Sequence, residues 1–475
     1  MKLRDLAGAD SDSEVTGFAI DHRKVARGSV FGAFRGAAFD GEDFIPEAVS
    51  RGAIAVVARP DAVVAGVPHI ADPEPRARFA ALAAKFYAPY PSTVVAVTGT
   101  NGKTSTVEMT RQIWRMAGQR SASIGTLGVT TSDDQVKTGL TTPDIVTFLS
   151  NMAGLKRMGI SHVAYEASSH GLDQHRCEGV ALAAAAFTNF SRDHLDYHAS
   201  MEEYFEAKMR LFERLLPAGA PVVVWTDDDK SDEVIARSAK AGHPVLTVGR
   251  KGETICLLEQ VPTALGQNLL IEHDGKSHKL ALPLIGAYQA ANVLTAAGLV
   301  LATGGEWRTT FSAMQRVAPV RGRLERAVIS KSGAPVYVDY AHTADALEAA
   351  IAALRPHVAK DQGARLITVF GAGGDRDQGK RPAMGAAAVR LSDLVIVTDD
   401  NPRGEDPAAI RSAIMAAAPG AIEVPGRREA IAEALRIARS GDIVLLAGKG
   451  HETGQIVGDK VFPFDDALVA RECAA

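Results

Sequence analysis

Residues 93–105, TVVAVTGTNGKTS, join an apolar run to a glycine-rich turn. The run Thr93–Val97 is rich in β-branched residues and predicts a buried strand. Beyond the turn, apolar residues recur at spacings of three or four from Val107 to Ala117, and Gly118 suits a C-terminal cap, so a helix is predicted there. Glycines let backbone N–H groups close around an anion, and a helix N-terminus adds positive potential. The unit therefore predicts a phosphate-binding site.

The turn also supplies side chains suited to ATP. Lys103 would neutralise the β- and γ-phosphates, and the hydroxyl of Thr104 can bind Mg²⁺. The strict P-loop places four residues between its first glycine and Gly-Lys; Gly99 is too close, so the match is to a shortened variant. The alternative is a glycine-rich turn whose lysine is only solvated. The predicted ATP-binding residues of this turn are Thr100, Asn101, Gly102, Lys103, Thr104, Ser105 and Thr106.

Short apolar runs alternate with helical, alanine-rich stretches along much of the chain. This alternation predicts an α/β fold with mainly parallel sheets and right-handed crossovers. The further predicted strands are Ala53–Ala58, His162–Tyr165, Ala183–Phe187, Val336–Val338, Leu366–Phe370, Leu394–Val397 and Ile443–Leu446. Ligands of such folds gather at the carboxyl ends of strands. The polar clusters predicted at those ends are Asp339–His342, Gly371–Arg381, Asp399–Arg403 and Gly448–Glu452.

The length of 475 residues exceeds one ordinary hydrophobic core, so about two or three domains are expected. The proline-flanked stretch Pro89–Pro91 suits a linker, and a third region begins near Arg321. Both positions are candidate domain boundaries.

The composition indicates a globular enzyme. A formal net charge of −4 argues against non-specific nucleic-acid binding, which depends on basic surface. The three cysteines are widely separated and form no CxxC pair, which fits a reducing compartment. The N-terminus lacks the apolar core of a signal peptide, and no apolar run approaches the ~20 residues of a membrane span. We therefore expect a cytoplasmic protein that binds neither nucleic acid nor membrane.

Several motifs resemble the Mur ligase superfamily, which also includes the folylpolyglutamate synthases. The segment Thr98–Thr104 is similar to the nucleotide loop of that superfamily. The motifs that resemble its MurE branch are Thr141–Asp144, Glu166–His170, Gln174–Arg176, Asn189–Asp196, Asp339–Thr343, Gly373–Asp377 and Asp400–Arg403. They stand in the family's order and span nearly the whole chain.

The resemblance implies a fold and a reaction. The implied domains are a UDP-binding domain at 1–89, a central P-loop ATPase-like domain at 90–320 and a C-terminal Rossmann-like, amino-acid-binding domain at 321–475. In the implied reaction, ATP phosphorylates the D-glutamate carboxylate of UDP-MurNAc-L-Ala-D-Glu. The amine of meso-diaminopimelate then displaces phosphate to form an amide. We expect a monomer whose partners are these small-molecule substrates.

The resemblance also implies a catalytic group made of Lys103, Glu166, His194 and Lys208, with ATP and two Mg²⁺ ions as cofactors. Thr104, Glu166 and His194 would be metal ligands. Lys208 would be carbamylated, because carbon dioxide turns its amine into an anion that can hold the second ion. From the residues alone, His194 is favoured to be a hydrogen-bonded core histidine and Lys208 an ordinary helix-face lysine.

The UDP-muropeptide is implied to lie against residues with hydroxyl, amide and guanidinium groups, which suit a phosphorylated, carboxylate-bearing ligand. These residues are Ile20, His22, Thr141, Thr142, Ser168, Gln174 and Arg176. The uridine end should lie against Ile20–Arg23 and the loop Gly36–Gly41. His22 departs from the family pattern, which has serine there, and this departure predicts a remodelled uridine contact.

Adenine, ribose and phosphates are implied to contact Asn292, Arg323, Asp339 and Tyr340. Arg323 would reach the nucleotide from the C-terminal domain, which makes domain closure part of assembling the site. The alternatives are an interdomain salt bridge for Arg323 and core packing for Tyr340. Ala344 and Ala372 replace a proline and a cysteine usual in the family, and neither change removes a functional group.

The incoming amino acid is predicted from the tetrapeptide Asp400–Arg403, which follows the strand Leu394–Val397. Diaminopimelate differs from lysine by a distal carboxylate, which the guanidinium of Arg403 can bind through two parallel hydrogen bonds. The predicted pocket consists of Arg376, Asp400, Asn401, Pro402, Arg403, Gly448 and Glu452, with Glu452 facing the distal ammonium. The alternatives are an Asn-Pro turn with a solvated arginine, a lysine-adding ligase, or a non-catalytic regulatory ATP-binding module.

Overall fold

The structure, a computed structural model, describes residues 1–36, 39–136, 139–195, 197–359, 363–375 and 377–475. The chain forms two compact units. The first contains Met1–Ile255 and Leu294–Thr310, and the second contains Cys256–Val293 and Phe311–Ala475. Helices α9 (Tyr288–Ala302) and α10 (Trp307–Met314) include residues of both units. All helices and strands are numbered in chain order.

The first unit begins with a small parallel sheet in the order β1-β2-β3-β4. Its elements are α1 (Leu3–Ala7), β1 (Gly17–Ala19), β2 (Ser29–Gly32), α2 (Ile45–Ser50), β3 (Ala53–Ala58), β4 (His69–Ala71) and α3 (Pro75–Tyr87), with 3₁₀ turns at His22–Lys24 and Gly41–Phe44. Phe79 on α3 packs edge-on against Phe18 of β1 and covers the sheet. Because all four strands are parallel, their carboxyl ends share one edge.

The central sheet of the first unit runs in the order β12-β11-β10-β5-β9-β6-β7-β8, and its middle strands are parallel. Its strands are β5 (Thr93–Thr98), β6 (Ser121–Gly125), β7 (Gly128–Thr130), β8 (Gln135–Val136), β9 (His162–Glu166), β10 (Ala184–Phe187), β11 (Val222–Trp225) and β12 (Val245–Gly249). Its helices are α4 (Lys103–Met116), α5 (Ile145–Arg157), α6 (Ser169–Asp173), α7 (Met201–Arg210) and α8 (Ser231–Lys240), with a π turn at Leu211–Leu215. Val94, Val95 and Val97 of β5 are fully buried, and each contributes about 1.5–3 kcal/mol by leaving water.

The second unit contains an antiparallel meander and a mainly parallel sheet in the order β16-β17-β21-β18-β19-β20. The strands are β13 (Ile255–Thr263), β14 (Gly266–His273), β15 (Lys276–Leu282), β16 (Glu325–Ile329), β17 (Pro335–Asp339), β18 (Leu366–Phe370), β19 (Leu394–Val397), β20 (Ile422–Glu423), β21 (Ile443–Ala447), β22 (Gly454–Val457) and β23 (Lys460–Pro463). The helices are α11 (Ala344–Leu354), α12 (Lys380–Leu391), α13 (Pro407–Met415), α14 (Arg427–Ile437) and α15 (Asp466–Ala474), with a 3₁₀ turn at Arg355–His357. Buried apolar clusters cover both faces of the six-stranded sheet.

The predicted strands agree with the observed ones to within one residue at each end, and the predicted α/β class is confirmed. The helix after the glycine-rich turn begins at Lys103, four residues before its first apolar marker, Val107. The antiparallel strands of the meander were not predicted, because their alternation is broken by a bulge between Leu257 and Glu259 and by largely exposed residues beyond it. The domain boundaries at residues 89 and 320 stay predictions.

None of the helices in the described parts of the chain combines the length and apolar content needed to cross a membrane.

Candidate functional site

The glycine-rich turn links β5 to α4 and requires glycine at two positions. Gly99 has a φ of +145°, and a Cβ atom there would lie 1.9 Å from Thr188 Oγ1. Gly102 has a φ of +83° and immediately precedes α4. The Nζ atom of Lys103 folds back over the turn and donates to the carbonyl oxygens of Gly99 at 2.9 Å and Thr100 at 2.8 Å. The turn is thus a closed loop of backbone with an amine held across it.

The end of the neighbouring strand β10 braces this turn. The Asn101 N–H donates to Asn189 Oδ1 at 2.8 Å, and the Thr188 hydroxyl donates to the Asn101 carbonyl at 2.7 Å. Tyr204 on α7 donates its hydroxyl to Thr100 Oγ1 at 3.2 Å. Sequence reasoning gave Thr188 and Tyr204 no role. Their position directly after a predicted strand or on a neighbouring helix was the only available signal.

Lys208, on helix α7, contacts the same glycine-rich turn as Lys103. Its Nζ donates to the Gly99 carbonyl at 2.8 Å and lies 4.2 Å from the centre of the Tyr204 ring. The side chain is 1% exposed, so it does not lie on an exposed helix face. Burial lowers its pKa well below the ordinary value, and the nearby charge of Lys103 lowers that pKa further. Two lysine amines therefore share one carbonyl oxygen in a buried setting.

Glu166 ends strand β9 beside the turn and is 2% exposed. Its Oε2 accepts from the Thr104 hydroxyl at 3.0 Å, and its Oε1 accepts from the Thr126 N–H at 2.7 Å. A Cβ atom at Gly125 would lie 2.1 Å from Glu166 Oε1, so the carboxylate needs glycine there. Gly125 and Thr126 were missed, because nothing in a local pattern connects them with a strand that comes later in the chain.

His194 is 39% exposed in its side chain and is therefore not a core histidine. It has a φ of +52°, and its ring meets that of His170 edge-on with the centroids 4.9 Å apart. Partial burial lowers its pKa; Asp193 opposes this, while His170, Lys103 and Lys208 add to it. The effects of Lys103 and Lys208 on this pKa indicate that His194 lies within electrostatic range of both amines. Asp196, at the end of the same motif, lies outside the described residues.

The four predicted metal ligands are chemically suited to a hard cation only in part. The carboxylate of Glu166 and the hydroxyl of Thr104 are oxygen donors of the kind Mg²⁺ prefers. Among the described residues, however, no three His, Cys, Asp or Glu side chains group closely enough to hold a metal. Lys208 as an amine supplies no oxygen donor. A carbamate at that position would add oxygen donors of the kind that Mg²⁺ prefers.

The predicted muropeptide residues of the central sheet form one connected cluster. Thr142 Oγ1 lies 2.9 Å from Ser168 Oγ and donates to the Glu166 carbonyl at 2.8 Å. Arg176 donates from Nη2 to Gln174 Oε1 at 2.6 Å and from Nη1 to the Thr142 carbonyl at 3.2 Å. Thr141 Oγ1 lies 3.1 Å from Thr126 Oγ1, which joins this cluster to the surroundings of Glu166. Ser168 also caps α6 by accepting from the Gly171 N–H.

The predicted uridine residues follow β1. Ile20 is 37% exposed. The ring of His22 stacks on Phe44 with centroids 4.4 Å apart and an interplanar angle of 5°, and its Nε2 lies 3.2 Å from Glu47 Oε2. Serine could make neither contact, so the departure from the family residue has a packing role. Ala37 and Ala38, in the predicted Gly36–Gly41 loop, lie outside the described residues.

The predicted nucleotide residues Asn292, Arg323, Asp339 and Tyr340 belong to the second unit. The guanidinium of Arg323 lies 5.2 Å from the centre of the Tyr340 ring, and Gln289 joins the Arg323 carbonyl to the Asn292 amide. The Arg323 Nε is buried without a hydrogen-bond partner in the described part of the chain.

Asp339 accepts the N–H groups of Leu324 at 2.8 Å and Ala341 at 3.0 Å. Burial raises the pKa of Asp339, although Arg323 and these two hydrogen bonds oppose the rise. The carboxylate therefore orders the backbone on both sides of itself.

The predicted diaminopimelate residues lie after β19 and β21, two strands that both neighbour β18. Arg403 has a φ of +52°, and its Nη1 donates to the Gly374 carbonyl at 2.8 Å. It makes no ion pair with any described residue, whereas Arg381 pairs with Glu405 at 2.8 Å and Arg427 with Asp466 at 2.6 Å. Pro402 immediately precedes Arg403 and accepts the N–H of Glu405 through its carbonyl. Arg376 lies outside the described residues.

Lys449 lies within the predicted polar cluster Gly448–Glu452, but sequence reasoning gave it no role. It is fully buried and donates to Asn401 Oδ1 and Glu452 Oε2, each at 3.1 Å. Glu452 also accepts from Asn401 Nδ2 at 2.9 Å. Gly448 has a φ of +117°, and a Cβ atom there would lie 2.6 Å from Asp400 Oδ2. Asp400 in turn faces Arg427 at 3.9 Å, so it stabilises the loop.

Comparison with known proteins identifies the family. Its models match three consecutive parts of the chain: the Mur ligase family catalytic domain at 14–87, the Mur ligase middle domain at 97–300 and the Mur ligase glutamate ligase domain at 322–450. A UDP-N-acetylmuramoyl-L-alanyl-D-glutamate–2,6-diaminopimelate ligase of Zymomonas mobilis is 55% identical over 98% of this chain and 96% of its own. A relative of the same name from Agrobacterium fabrum is 48% identical over 100% of this chain and 99% of its own.

A solved structure of a protein with this name is also similar. It is 30% identical, has a TM-score of 0.75, and the match covers 100% of this chain and 98% of that one. The predicted three-domain α/β architecture is thereby confirmed. This chain belongs to the Mur ligase family.

Proposed function

We propose that this protein uses ATP to join meso-2,6-diaminopimelate to UDP-MurNAc-L-Ala-D-Glu. The γ-phosphoryl group of ATP passes to the D-glutamate carboxylate, which gives an acyl phosphate and ADP. An amine of diaminopimelate then attacks the acyl carbon, inorganic phosphate leaves, and the attacking nitrogen loses a proton. The product is the UDP-MurNAc-tripeptide, a precursor for peptidoglycan synthesis. The two whole-length relatives, 55% and 48% identical, carry this reaction in their names.

The first half-reaction brings two anions together, so positive charge must be in place beforehand. We assign this role to Lys103, which is held across the turn by two backbone carbonyls. Glu166, Thr104, His194 and a carbamate on Lys208 would hold Mg²⁺, whose charge would offset that of the phosphates and the acceptor carboxylate. Thr126 and Gly125 fix the Glu166 carboxylate in position.

The carbamate on Lys208 is supported by the surroundings of its amine. The side chain is buried, its Nζ donates to the same carbonyl as Lys103, and no carboxylate pairs with it in the described part of the chain. A buried ammonium without a counter-charge is costly. Burial therefore favours the neutral amine, which can add carbon dioxide and release one proton to give a carbamate anion next to Lys103.

The observation that carries the choice of amino acid is that the guanidinium of Arg403 pairs with no carboxylate of a described residue. A distal carboxylate on the substrate would match this charge. Lysine has no such group and would leave the arginine without a carboxylate, which disfavours lysine. Glu452 is already partly neutralised by Lys449, so its remaining acceptor capacity would face the distal ammonium.

The test offers the purified protein ATP, Mg²⁺ and UDP-MurNAc-L-Ala-D-Glu with either meso-diaminopimelate or L-lysine, and weighs the products by mass spectrometry. A tripeptide formed only with diaminopimelate is expected. Equal use of lysine would contradict the role of Arg403, but the protein would still be an acid–amino-acid ligase. ATP binding without any amide product would favour a non-catalytic module.

A further inference from the structure

The carboxyl edge of the small N-terminal sheet carries a cluster of arginines that have no role in the reaction proposed above. Arg35 follows β2, Arg59 follows β3, and Arg76 follows β4 at the start of α3. Together with Phe34, Glu74 and His175 they line an open cleft with a volume of about 200 Å³. His175 lies between the predicted muropeptide residues Gln174 and Arg176, so the cleft adjoins that cluster.

The three arginines differ in their partners. Arg35 pairs with Asp40 at 3.0 Å, and Arg59 pairs with Glu42 at 2.8 Å. Arg76 pairs with no carboxylate in the described ranges. Its guanidinium lies 4.9 Å from the centre of the Phe34 ring, and its Nη2 donates to the Arg35 carbonyl at 3.0 Å. A charge that is packed in place and left without a counter-ion suits an anionic ligand.

Arg176, in the adjoining cluster, has the same property. It donates to the Gln174 side chain and the Thr142 carbonyl but pairs with no described carboxylate. Partial burial lowers the pKa of both Arg76 and Arg176. The charge of Arg176 lowers the pKa of Arg76 further, while Tyr197 and Asp173 oppose that change. Two half-buried cations within electrostatic reach of each other favour an anion nearby.

The backbone adds to this positive potential. Helix α3 runs for 13 residues, begins at Pro75, and has no side chain capping its N-terminus. Its unsatisfied N–H groups and the positive end of its dipole therefore lie where Arg76 enters the cleft. Glu74 is the one carboxylate among the lining residues named above, and it makes no ion pair with a described residue. Since Arg35 and Arg59 are matched by Asp40 and Glu42, Arg76 is the lining arginine whose charge no described carboxylate offsets through an ion pair.

We propose that Arg76 binds the diphosphate of the UDP-muropeptide and holds it in this cleft. The assignment rests on the proposed function, since it assumes a UDP-linked substrate. In that ligand the diphosphate stands between uridine and the sugar. The cleft correspondingly lies at the strand edge that carries Ile20 and His22, next to the cluster that contains Arg176. Only the diphosphate is an anion at that point of the ligand.

The experiment measures dissociation constants by calorimetry for the full-length protein, R76Q, R76K and R78Q. Arg78 lies on the same helix and does not line the cleft, which makes R78Q the matched control. The probes are UDP-MurNAc-L-Ala-D-Glu and UDP-MurNAc, which share the diphosphate but differ in peptide carboxylates. R76Q should weaken both by the same factor, about ten-fold or more, since a charge-assisted hydrogen bond is worth at least that. R76K should lie between R76Q and wild type, and R78Q should match wild type.

Three outcomes would overturn the assignment. Unchanged affinity of R76Q for both probes would remove Arg76 from the site. Weakening of UDP-MurNAc-L-Ala-D-Glu alone would move the contact to a peptide carboxylate. Equal weakening in R78Q, or a lowered melting temperature in R76Q alone, would mean that the helix itself had been disturbed. Tripeptide formation by the wild type is measured separately, so that failure of the proposed reaction is distinguished from failure of this assignment.

Discussion

The glycine-rich turn after β5 and the Asp400–Arg403 loop after β19 both follow parallel strands, yet they arrange basic side chains in different ways. At the first, the amines of Lys103 and Lys208 converge on the Gly99 carbonyl at 2.9 and 2.8 Å. At the second, Lys449 is matched by Glu452 at 3.1 Å, and Arg403 pairs with no carboxylate of a described residue. The first loop concentrates amines, and the second leaves a single charge to be matched.

The difference separates residues proposed to act in the chemical step from a residue proposed to select the substrate. The amine of Lys103 would attract phosphate of any origin, and it would act on the step that every member of such a family must perform. A single unmatched guanidinium distinguishes substrates that differ by one carboxylate. Changes in the first loop should therefore reduce all turnover, and changes in the second should alter preference.

The largest effect is expected from Lys103→Met. Removing the amine assigned to the phosphates should lower kcat/KM for ATP by about 10³-fold, because the lost charge would stabilise the transferring phosphoryl group. Tripeptide formation at varied ATP concentration measures this loss. Lys240→Met, on the exposed end of α8, is the control and should keep wild-type activity. Activity of K103M within ten-fold of wild type would remove the distinction between the two loops.

Lys208→Met should come next, with a loss of about 10²-fold, because the site would lose the anion proposed to hold the second Mg²⁺. Wild-type protein in ¹³C-bicarbonate should show a carbamate signal by NMR that K208M lacks. Lys230, whose Nζ lies 4.7 Å from the Phe205 ring and 2.7 Å from Glu233, is a matched lysine over an aromatic ring. K230M should retain both the signal and the activity. A carbamate signal that persists in K208M would place the modification elsewhere.

Arg403→Ala should lower kcat/KM for diaminopimelate by about 10- to 100-fold, which corresponds to the loss of a charge-assisted pair. Its kcat/KM for lysine should change little, so the ratio between the two substrates falls. Competition between the two amino acids, read by product mass, measures this ratio directly. Arg390→Ala, on exposed α12 and paired with Glu348, is the control. An equal loss with both amino acids would show that Arg403 supports the loop and does not select the substrate.

The smallest effect is expected from His22→Ser, which restores the residue usual in the family. Loss of the stack on Phe44 should cost about 1 kcal/mol of unfolding free energy, since a stacked aromatic pair contributes that much. The KM for UDP-MurNAc-L-Ala-D-Glu should change by less than about three-fold, because the ring is engaged with Phe44 and Glu47. Chemical denaturation and initial rates measure the two quantities. A ten-fold change in KM would instead make His22 a ligand contact.

Residues that are close in sequence were the most predictable part of the fold and of the candidate site. The strand, turn and helix of residues 93–116 follow from β-branched residues, glycines and helical spacing, and the observed bounds agree with them. Thr142, Ser168, Gln174 and Arg176 were singled out by motif and meet in one cluster. Their roles toward ligands stay predictions, as do the expected monomer and the cytoplasmic location.

Contacts between distant segments were not predictable. Gly125 and Thr126 shape the surroundings of Glu166, about forty residues later in the chain. Lys449 completes a network with Asn401, 48 residues away, and Arg76 enters a cleft lined by His175. None of these residues carries a local signal, because a glycine or a lysine fits many surfaces equally well.

Local residue patterns were enough to predict the α/β class, the glycine-rich turn and the family, because periodicity and short motifs are properties of neighbouring residues. The tertiary structure decided which charges are matched. Asp466 neutralises Arg427, and Glu452 meets Lys449, whereas Arg76 and Arg403 face no described carboxylate. The reason is that ion pairing depends on distances of a few ångströms between side chains that folding brings together from separate strands.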